Sequence, residues 1–310
     1  MSAWLLALGM AASWQEAART QPSYTLDEIV VHGVRAETVA RTVEALTEPS
    51  RVGQARGQLA RWTQPICVQV IGGTLDANRA FASQVASAVG ELGLSAATQC
   101  RANVVVVLAE DAEEFARLFA EQRRIGFFAN KAEALRAFRE ASAPVRWAHV
   151  VTAMGEAGGA AEGAGLAAAM NGDAGSIKLV DSRLRYSTSE AISRALLVVD
   201  GRRAADVPID ALARYVAFAA VTDLPTEHRP GEGSILGLFE AAEGEEPREF
   251  SRWDRAFVRA LYAVSPDQPF DVQRGEMVDR MLRDLSGDEP LASGVITTTP
   301  PPSAPGRSDG

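Results

Sequence analysis

The run Asn103-Val104-Val105-Val106-Val107-Leu108 is the feature that most constrains the fold of this 310-residue chain. Successive side chains of a strand point to opposite faces of a sheet, so a strand that is apolar at every position must be covered on both faces. Such a run is typical of a central strand in a sheet with helices on either side. The chain must therefore supply both a sheet and the helices that cover it.

A strand and a helix precede this run. The strand covers Ile66–Ile71 and ends at Gly72-Gly73, and the helix is predicted over 76–92, with Gly93 as a C-cap signal. One face of the helix carries the apolar stripe Phe81, Val85, Val89 and Leu92. If the two strands are parallel neighbours, this order predicts a right-handed crossover between them.

The remaining elements follow from the same periodicities. Further strands are predicted at 28–33, 145–151, 177–180 and 195–199, with a short helix beginning near Ser189 before the last of them. Further helices are predicted at 36–47, 111–123, 131–141, 209–223, 251–264 and 271–285, and a loop at 49–60. Strands early and helices late predict an α+β fold: a mixed sheet with covering helices and a helical C-terminal part.

The N-terminal residues predict export. Residues 1–13 contain an apolar run, Ala3–Ala12, that fits a signal peptide with cleavage before Trp14. No Lys or Arg precedes this run, so a true start further upstream and an apolar N-terminal helix are the alternatives. Residues 14–26 are polar and are predicted to be a linker.

One globular domain is predicted over 27–287. It is rich in strands and helices over 27–200 and helical over 201–287. Residues 288–310 are rich in Pro, Ser and Thr, a composition that predicts a disordered tail.

The chain has two cysteines, Cys67 and Cys100, which flank the predicted helix over 76–92. An even count in an exported chain predicts one disulfide, and the strand–helix–strand unit would bring the two together. The alternative is a pair of buried free thiols in a cytosolic protein. The leader and the cysteines together predict a periplasmic or secreted location.

Charge and hydropathy argue against nucleic-acid binding and against a membrane span. The chain carries 31 basic and 40 acidic residues, a formal charge of −9, which disfavours binding to nucleic acid. No stretch approaches the eighteen or so apolar residues that a membrane span needs, so none is predicted.

Common catalytic motifs are missing from the sequence. The three histidines, at 32, 149 and 228, form no His-Glu-x-x-His, and there is no Cys-x-x-Cys and no Gly-x-Ser-x-Gly. We therefore predict no catalytic, cofactor-binding or metal-binding residues. Ser251 with Asp254 three residues later predicts a capping box at the start of a helix, which explains that aspartate without an active site.

Four residues are weak candidates for the lining of a groove: His149, Asp181, Arg183 and Arg185. His149 lies inside a predicted strand, where a hydrogen-bonded structural histidine is the alternative. The other three follow a predicted strand with alternating spacing, and an exposed polar edge is their alternative.

Several short motifs resemble those of an uncharacterised family of exported alphaproteobacterial proteins. They are Gly57-Gln58-Leu59-Ala60-Arg61-Trp62, Pro65-Ile66-Cys67, Cys100-Arg101-Ala102-Asn103, Ser182-Arg183-Leu184-Arg185, Val198-Val199-Asp200, Ser234-Ile235-Leu236, Trp253-Asp254-Arg255-Ala256-Phe257 and Ala260-Leu261-Tyr262. The likeness covers about residues 55–285. The family implies no known activity.

The C-terminal part also resembles a wider domain-of-unknown-function group with a zincin-like, metallopeptidase-type arrangement. Where a metallopeptidase would carry His-Glu-x-x-His, this chain has the five residues from Val216 to Ala220, none of which can bind zinc. The resemblance therefore implies a fold that has lost its metal centre. Independently of it, the apolar stripe Ile209, Leu212, Val216, Ala219 and Ala220 predicts a buried core helix over 209–223 that binds no metal.

These observations predict a non-catalytic binding or accessory protein of the cell envelope, whose partner is an unidentified protein or envelope component. The alternative is a peptidase-like or cell-wall hydrolase whose active site carries no recognisable motif. A purely structural subunit of an envelope complex is a third possibility.

Overall fold

A computed structural model of the chain describes residues 34–50, 56–121, 136, 138–140, 143–155, 186–225, 231, 233–242 and 244–287. All of them belong to one compact unit. The strands predicted at 28–33 and 177–180 lie outside the described residues, as do the leader, the linker and the tail.

The described strands form one mixed sheet. They are β1 (Arg61–Trp62), β2 (Ile66–Ile71), β3 (Ala96–Ala97), β4 (Val104–Ala109), β5 (Val145–Gly155) and β6 (Thr188–Asp200). Strands β3, β2, β4 and β6 are parallel neighbours in that order, and β5 pairs antiparallel with β6. Strand β1 pairs with the first half of β6, and β4 pairs with the second half of the same strand. The valine run is therefore a central strand, as predicted, and the α+β class is confirmed.

The short helix predicted near Ser189 is wrong, because residues 188–194 belong to β6. The pairing with β5 continues through this stretch to Gly155 opposite Thr188. Its register shifts between Val150 and Val151, which leaves Ser193 as the extra residue of a bulge. The Ser193 hydroxyl donates to the Val150 carbonyl at 3.0 Å. Pairing with β5 has therefore overridden the local preference of these residues for a helix.

Helices cover both faces of the sheet. On one face, Val104 and Val106 pack in the main core with α2 (Leu75–Glu91) and α4 (Ile209–Val221). On the other, Val105 and Val107 pack with α3 (Ala112–Glu121) and Phe138 in a smaller core. The alternation along β4 accounts for the unbroken apolar run.

Helix α4 lies at the centre of the main core. Every residue except Ile209, Asp210 and Arg214 is buried, so the prediction of a core helix is confirmed. Ile209, predicted as part of the buried stripe, is exposed because it is the first residue of the helix. The alanines of α4 let α2 approach closely.

A second helical layer contains α1 (Ala36–Leu46), α5 (Arg252–Ala263) and α6 (Phe270–Ser286). Helix α6 packs against both α1 and α5. No helix in the described ranges is long and apolar enough to cross a membrane.

The predicted disulfide is present. Cys67 in β2 and Cys100 in the turn before β4 are bonded, with their Cα atoms 5.9 Å apart. The Asn103 side chain holds the same two segments together. Its Oδ1 accepts from the Cys67 N–H at 2.6 Å, and its Nδ2 donates to the Pro65 carbonyl at 3.0 Å. The strand–helix–strand unit is thus closed by one covalent bond and two hydrogen bonds.

The predicted capping box of α5 is also present, and it has a second role. The Ser251 hydroxyl accepts from the Asp254 N–H at 3.1 Å, and Asp254 Oδ2 accepts from the Ser251 N–H at 2.9 Å. The same carboxylate accepts from the Ser234 hydroxyl at 2.6 Å and from the Ile235 N–H at 3.0 Å. Asp254 therefore joins the start of α5 to the short 3₁₀ helix Ile235–Gly237.

Segment 57–62 joins the sheet to the C-terminal helices. The Gln58 amide donates to the Pro266 carbonyl at 2.7 Å, the Arg61 guanidinium to Leu261 at 2.9 Å, and the Trp62 indole to Ala220 at 2.8 Å. Gln58 through Trp62 are all buried, whereas the sequence predicts a loop over most of this stretch. Burial lowers the pKa of Arg61 below its usual value.

Gln273 of α6 completes this connection from the other side. It is fully buried, its Oε1 accepts from the Leu59 N–H at 2.7 Å, and its Nε2 donates to the Ser265 carbonyl at 2.8 Å. One amide thus satisfies a buried backbone N–H and a half-buried carbonyl.

We expect Gln273→Leu to lower the free energy of unfolding by about 1–3 kcal/mol, because the buried Leu59 N–H would lose its partner. Urea denaturation measures the change. Asp279→Asn, at an exposed position of the same helix, is the control and should shift the stability by less than about 0.5 kcal/mol. Equal effects of the two substitutions would show that segment 57–62 does not depend on Gln273.

Candidate functional site

A buried imidazole and a carboxylate meet between the sheet and the end of α4. His149 lies in the middle of β5, opposite Ala195 of β6. Its Nδ1 is 3.4 Å from Oδ1 of Asp223, which comes just after Thr222, the C-cap of α4. The side chains are 1% and 11% exposed, respectively. In many enzymes a histidine serves as the general base and a carboxylate orients its ring, and this pair has both residue types.

The other nitrogen of this imidazole has no carboxylate or other polar partner among the described residues. This atom, Nε2 of His149, is buried. A buried polar atom without a partner costs free energy, so it calls for an explanation, and an ordered water, an ion and a functional role are among those that apply. The pair is therefore the best-defined candidate site in the described part of the chain.

Asp223 also borders a small cavity between helix ends. Its walls are Leu46, Thr47, Glu48, Leu59, Ala60, Thr222, Asp223, Phe257 and Leu261. Its free space is no larger than about one water molecule. Thr47 is the C-cap of α1 and Thr222 that of α4, so the negative ends of two helix dipoles converge here. With two carboxylates nearby, the cavity favours a hydrogen-bond donor or a cation and is too small for a substrate.

His149 is thus buried against α4 in the main core. The other three groove candidates, Asp181, Arg183 and Arg185, lie outside the described residues. Asp223 was not predicted, because nothing in its local sequence distinguishes it from other loop aspartates. Its partnership with His149 comes from the packing of α4 on β5.

The carboxyl ends of β2 and β4 are where an α/β sheet usually binds a ligand, because α2 and α3 leave them towards opposite faces. Here the backbone of the turn after β2 comes into direct contact with the backbone of β4. Gly72 has φ +109°, and a Cβ at this position would clash with the Leu108 carbonyl oxygen. The turn after β2 therefore rests directly on the end of β4 and leaves no space there for a side chain at position 72.

Asp200 stands at the same edge, at the end of β6. Its Oδ2 accepts from the Ala112 N–H at 3.3 Å, and its Oδ1 accepts from the N–H groups of Arg202 and Arg203, both at 3.1 Å. The carboxylate holds the first turn of α3 and the loop after β6. Its oxygens are committed to the backbone.

The described residues contain no group of three or more His, Cys, Asp or Glu side chains that could hold a metal ion. At the place of the zincin-like helix, α4 presents Val216, Ala219 and Ala220, which are fully buried against apolar neighbours. Their environment is that of a packed core.

The contact between His149 and Asp223 should be measurable as a coupling energy. In a double-mutant cycle with His149→Phe and Asp223→Ala, we expect a coupling of about 1–3 kcal/mol in the free energy of unfolding, the range for a hydrogen bond to a charged group. The control is the exposed pair Arg117 and Glu121 of α3, where the coupling should stay below about 0.5 kcal/mol. A buried pair no more strongly coupled than this exposed pair would contradict the contact.

Comparison with known proteins adds no relative from which a role could be transferred. No protein-family model matches the chain, and neither a curated protein nor a solved structure matches it. The resemblances to the exported alphaproteobacterial family and to the zincin-like group therefore stay predictions, and function is argued from the residues alone.

Proposed function

We propose that the protein is exported and acts as a non-catalytic binding or accessory protein of the cell envelope. The Cys67–Cys100 disulfide supports the location, because structural disulfides form and persist in oxidising compartments. The non-catalytic role is supported by buried polar side chains that bond to the backbone of the protein itself. Asp200, Asp254 and Arg61 all bond to backbone groups inside the protein.

The observation that carries the binding role is an exposed apolar turn at the carboxyl edge of the sheet. Ile71 and Leu75, 42% and 63% exposed, stand on either side of the exposed residues Gly72, Gly73 and Thr74. The turn is held against β4 by the close approach of Gly72 to Leu108. Apolar side chains displayed on a rigid turn lose little conformational entropy on binding, so they suit contact with an apolar surface of another protein.

We expect the double variant Ile71→Glu, Leu75→Glu to capture its partner at least about tenfold less well than the natural chain, because two charges would be placed in an apolar contact. Tagged proteins added to an envelope extract, with captured proteins quantified by mass spectrometry, measure the change. Val272→Glu alters an apolar residue of α6 that is 47% exposed and serves as the control. Equal capture by all three proteins would contradict the proposal.

Export makes a separate prediction. The mature protein isolated from cells should begin at Trp14 and carry an oxidised Cys67–Cys100 pair. Intact-mass measurement after alkylation of free thiols reads both properties at once. A chain that retains its leader and has two alkylated cysteines would contradict export.

A hydrolase acting on peptide or cell-wall substrates is the second candidate, and the His149–Asp223 pair is what favours it. In that case a base at this position would contribute on the order of 100-fold or more to turnover. His149→Phe and Asp223→Ala would then both abolish cleavage of cell-wall peptides while capture of the partner persisted. Loss of capture in the Ile71/Leu75 variant without any hydrolysis by the natural chain favours the binding role.

A further inference from the structure

We infer that thiol–disulfide exchange at the Cys67–Cys100 bridge takes place at the sulfur of Cys100, so that Cys100 carries the mixed disulfide and Cys67 is the leaving thiolate. This inference concerns a modification site and does not depend on the proposed binding role. It rests on the unequal surroundings of the two halves of one bond.

The two cysteines differ in access to solvent. Cys67 is 4% exposed and lies in β2 between the core residues Ile66 and Val68. Its strand is hydrogen-bonded to β3 on one side and β4 on the other. Cys100 is exposed, in a turn whose neighbours Gln99 and Arg101 are exposed as well. A thiol arriving from solvent therefore meets the Cys100 end of the bond.

The direction of attack agrees with this difference. An attacking thiolate approaches along the sulfur–sulfur axis, from the side away from the leaving sulfur. Cys100 lies among exposed residues and Cys67 lies in a strand paired on both sides, so a thiolate from solvent has more room to approach Cys100. The positive charge of Arg101 beside Cys100 also attracts an anionic thiolate.

The exchange step is balanced as follows. The thiolate of a reductant such as glutathione forms a bond to Cys100 Sγ, the Cys67–Cys100 bond breaks, and its electron pair goes to Cys67 Sγ, which then takes a proton. Burial leaves the departing thiolate with little water to solvate its charge, so this step is slow. In the reverse step Cys67 attacks the mixed disulfide on Cys100 and expels the reductant, and this step is intramolecular.

Hydrogen bonds that do not involve the sulfurs also hold the Cys67 strand to the residues that follow Cys100. Asn103 binds the backbone on both sides of Ile66, at Pro65 and at Cys67, and does not depend on the disulfide. The pairing of Ile66 and Cys67 with β3 is also independent of it. The bridge therefore re-forms readily from the mixed disulfide.

Incubation of the natural chain with reduced glutathione, followed by acid quenching and peptide mapping by mass spectrometry, tests the assignment. We expect at least about tenfold more glutathione on Cys100 than on Cys67, because exchange follows access to the sulfur. An equal or larger amount on Cys67 would overturn the inference.

Single-cysteine variants test the same point without reduction. The free Cys100 of Cys67→Ala should react with a maleimide at least about tenfold faster than the free Cys67 of Cys100→Ala, and the two rates should converge in denaturant. Equal rates in two natively folded variants, as judged by circular dichroism, would overturn the inference. If either variant fails to fold, glutathione mapping on the natural chain decides alone.

Discussion

The hydrogen bonds from segment 57–62 to the carboxyl ends of two helices hold the helical half of the protein against the sheet. The last carbonyls of a helix have no partner within it, and in a buried position water cannot supply one. Trp62 supplies a donor to α4, and Arg61 supplies one to α5. Tyr262 of α5 adds a third, because its hydroxyl donates to the Val221 carbonyl at 2.8 Å. The orientation of both helices on the sheet depends on these donors.

Elements whose signal is local could be predicted from the sequence. The valine strand, α2 and the capping box of α5 each follow from periodicity or from two residues a few positions apart. The start of β6 could not be predicted, because its residues take the extended form through pairing with β5. Segment 57–62 shows no periodicity, and its burial depends on partners such as Gln273, more than 200 positions later in the chain.

The candidate site was predictable only in part. His149 could be singled out because histidines are few, but Asp223 owes its place to the packing of α4. Residues that carry the resemblance have structural roles. Arg61 and Trp62 donate to the last carbonyls of helices, Gln58 donates to the Pro266 carbonyl, and Asn103 accepts from the Cys67 N–H of β2. A likeness built on such residues concerns how the chain folds and carries no information about a reaction.

The long reach of segment 57–62 has a consequence for the order in which the chain can fold. Its bonds to Leu261, Pro266 and Gln273 span 200 or more positions, so they cannot form until these three residues have left the ribosome. Contacts this distant along the chain make folding slow. Until they close, the buried faces of the sheet and of α4 remain accessible to chaperones or to other unfolded chains. The nascent chain therefore stays open until α5 and α6 have been synthesised.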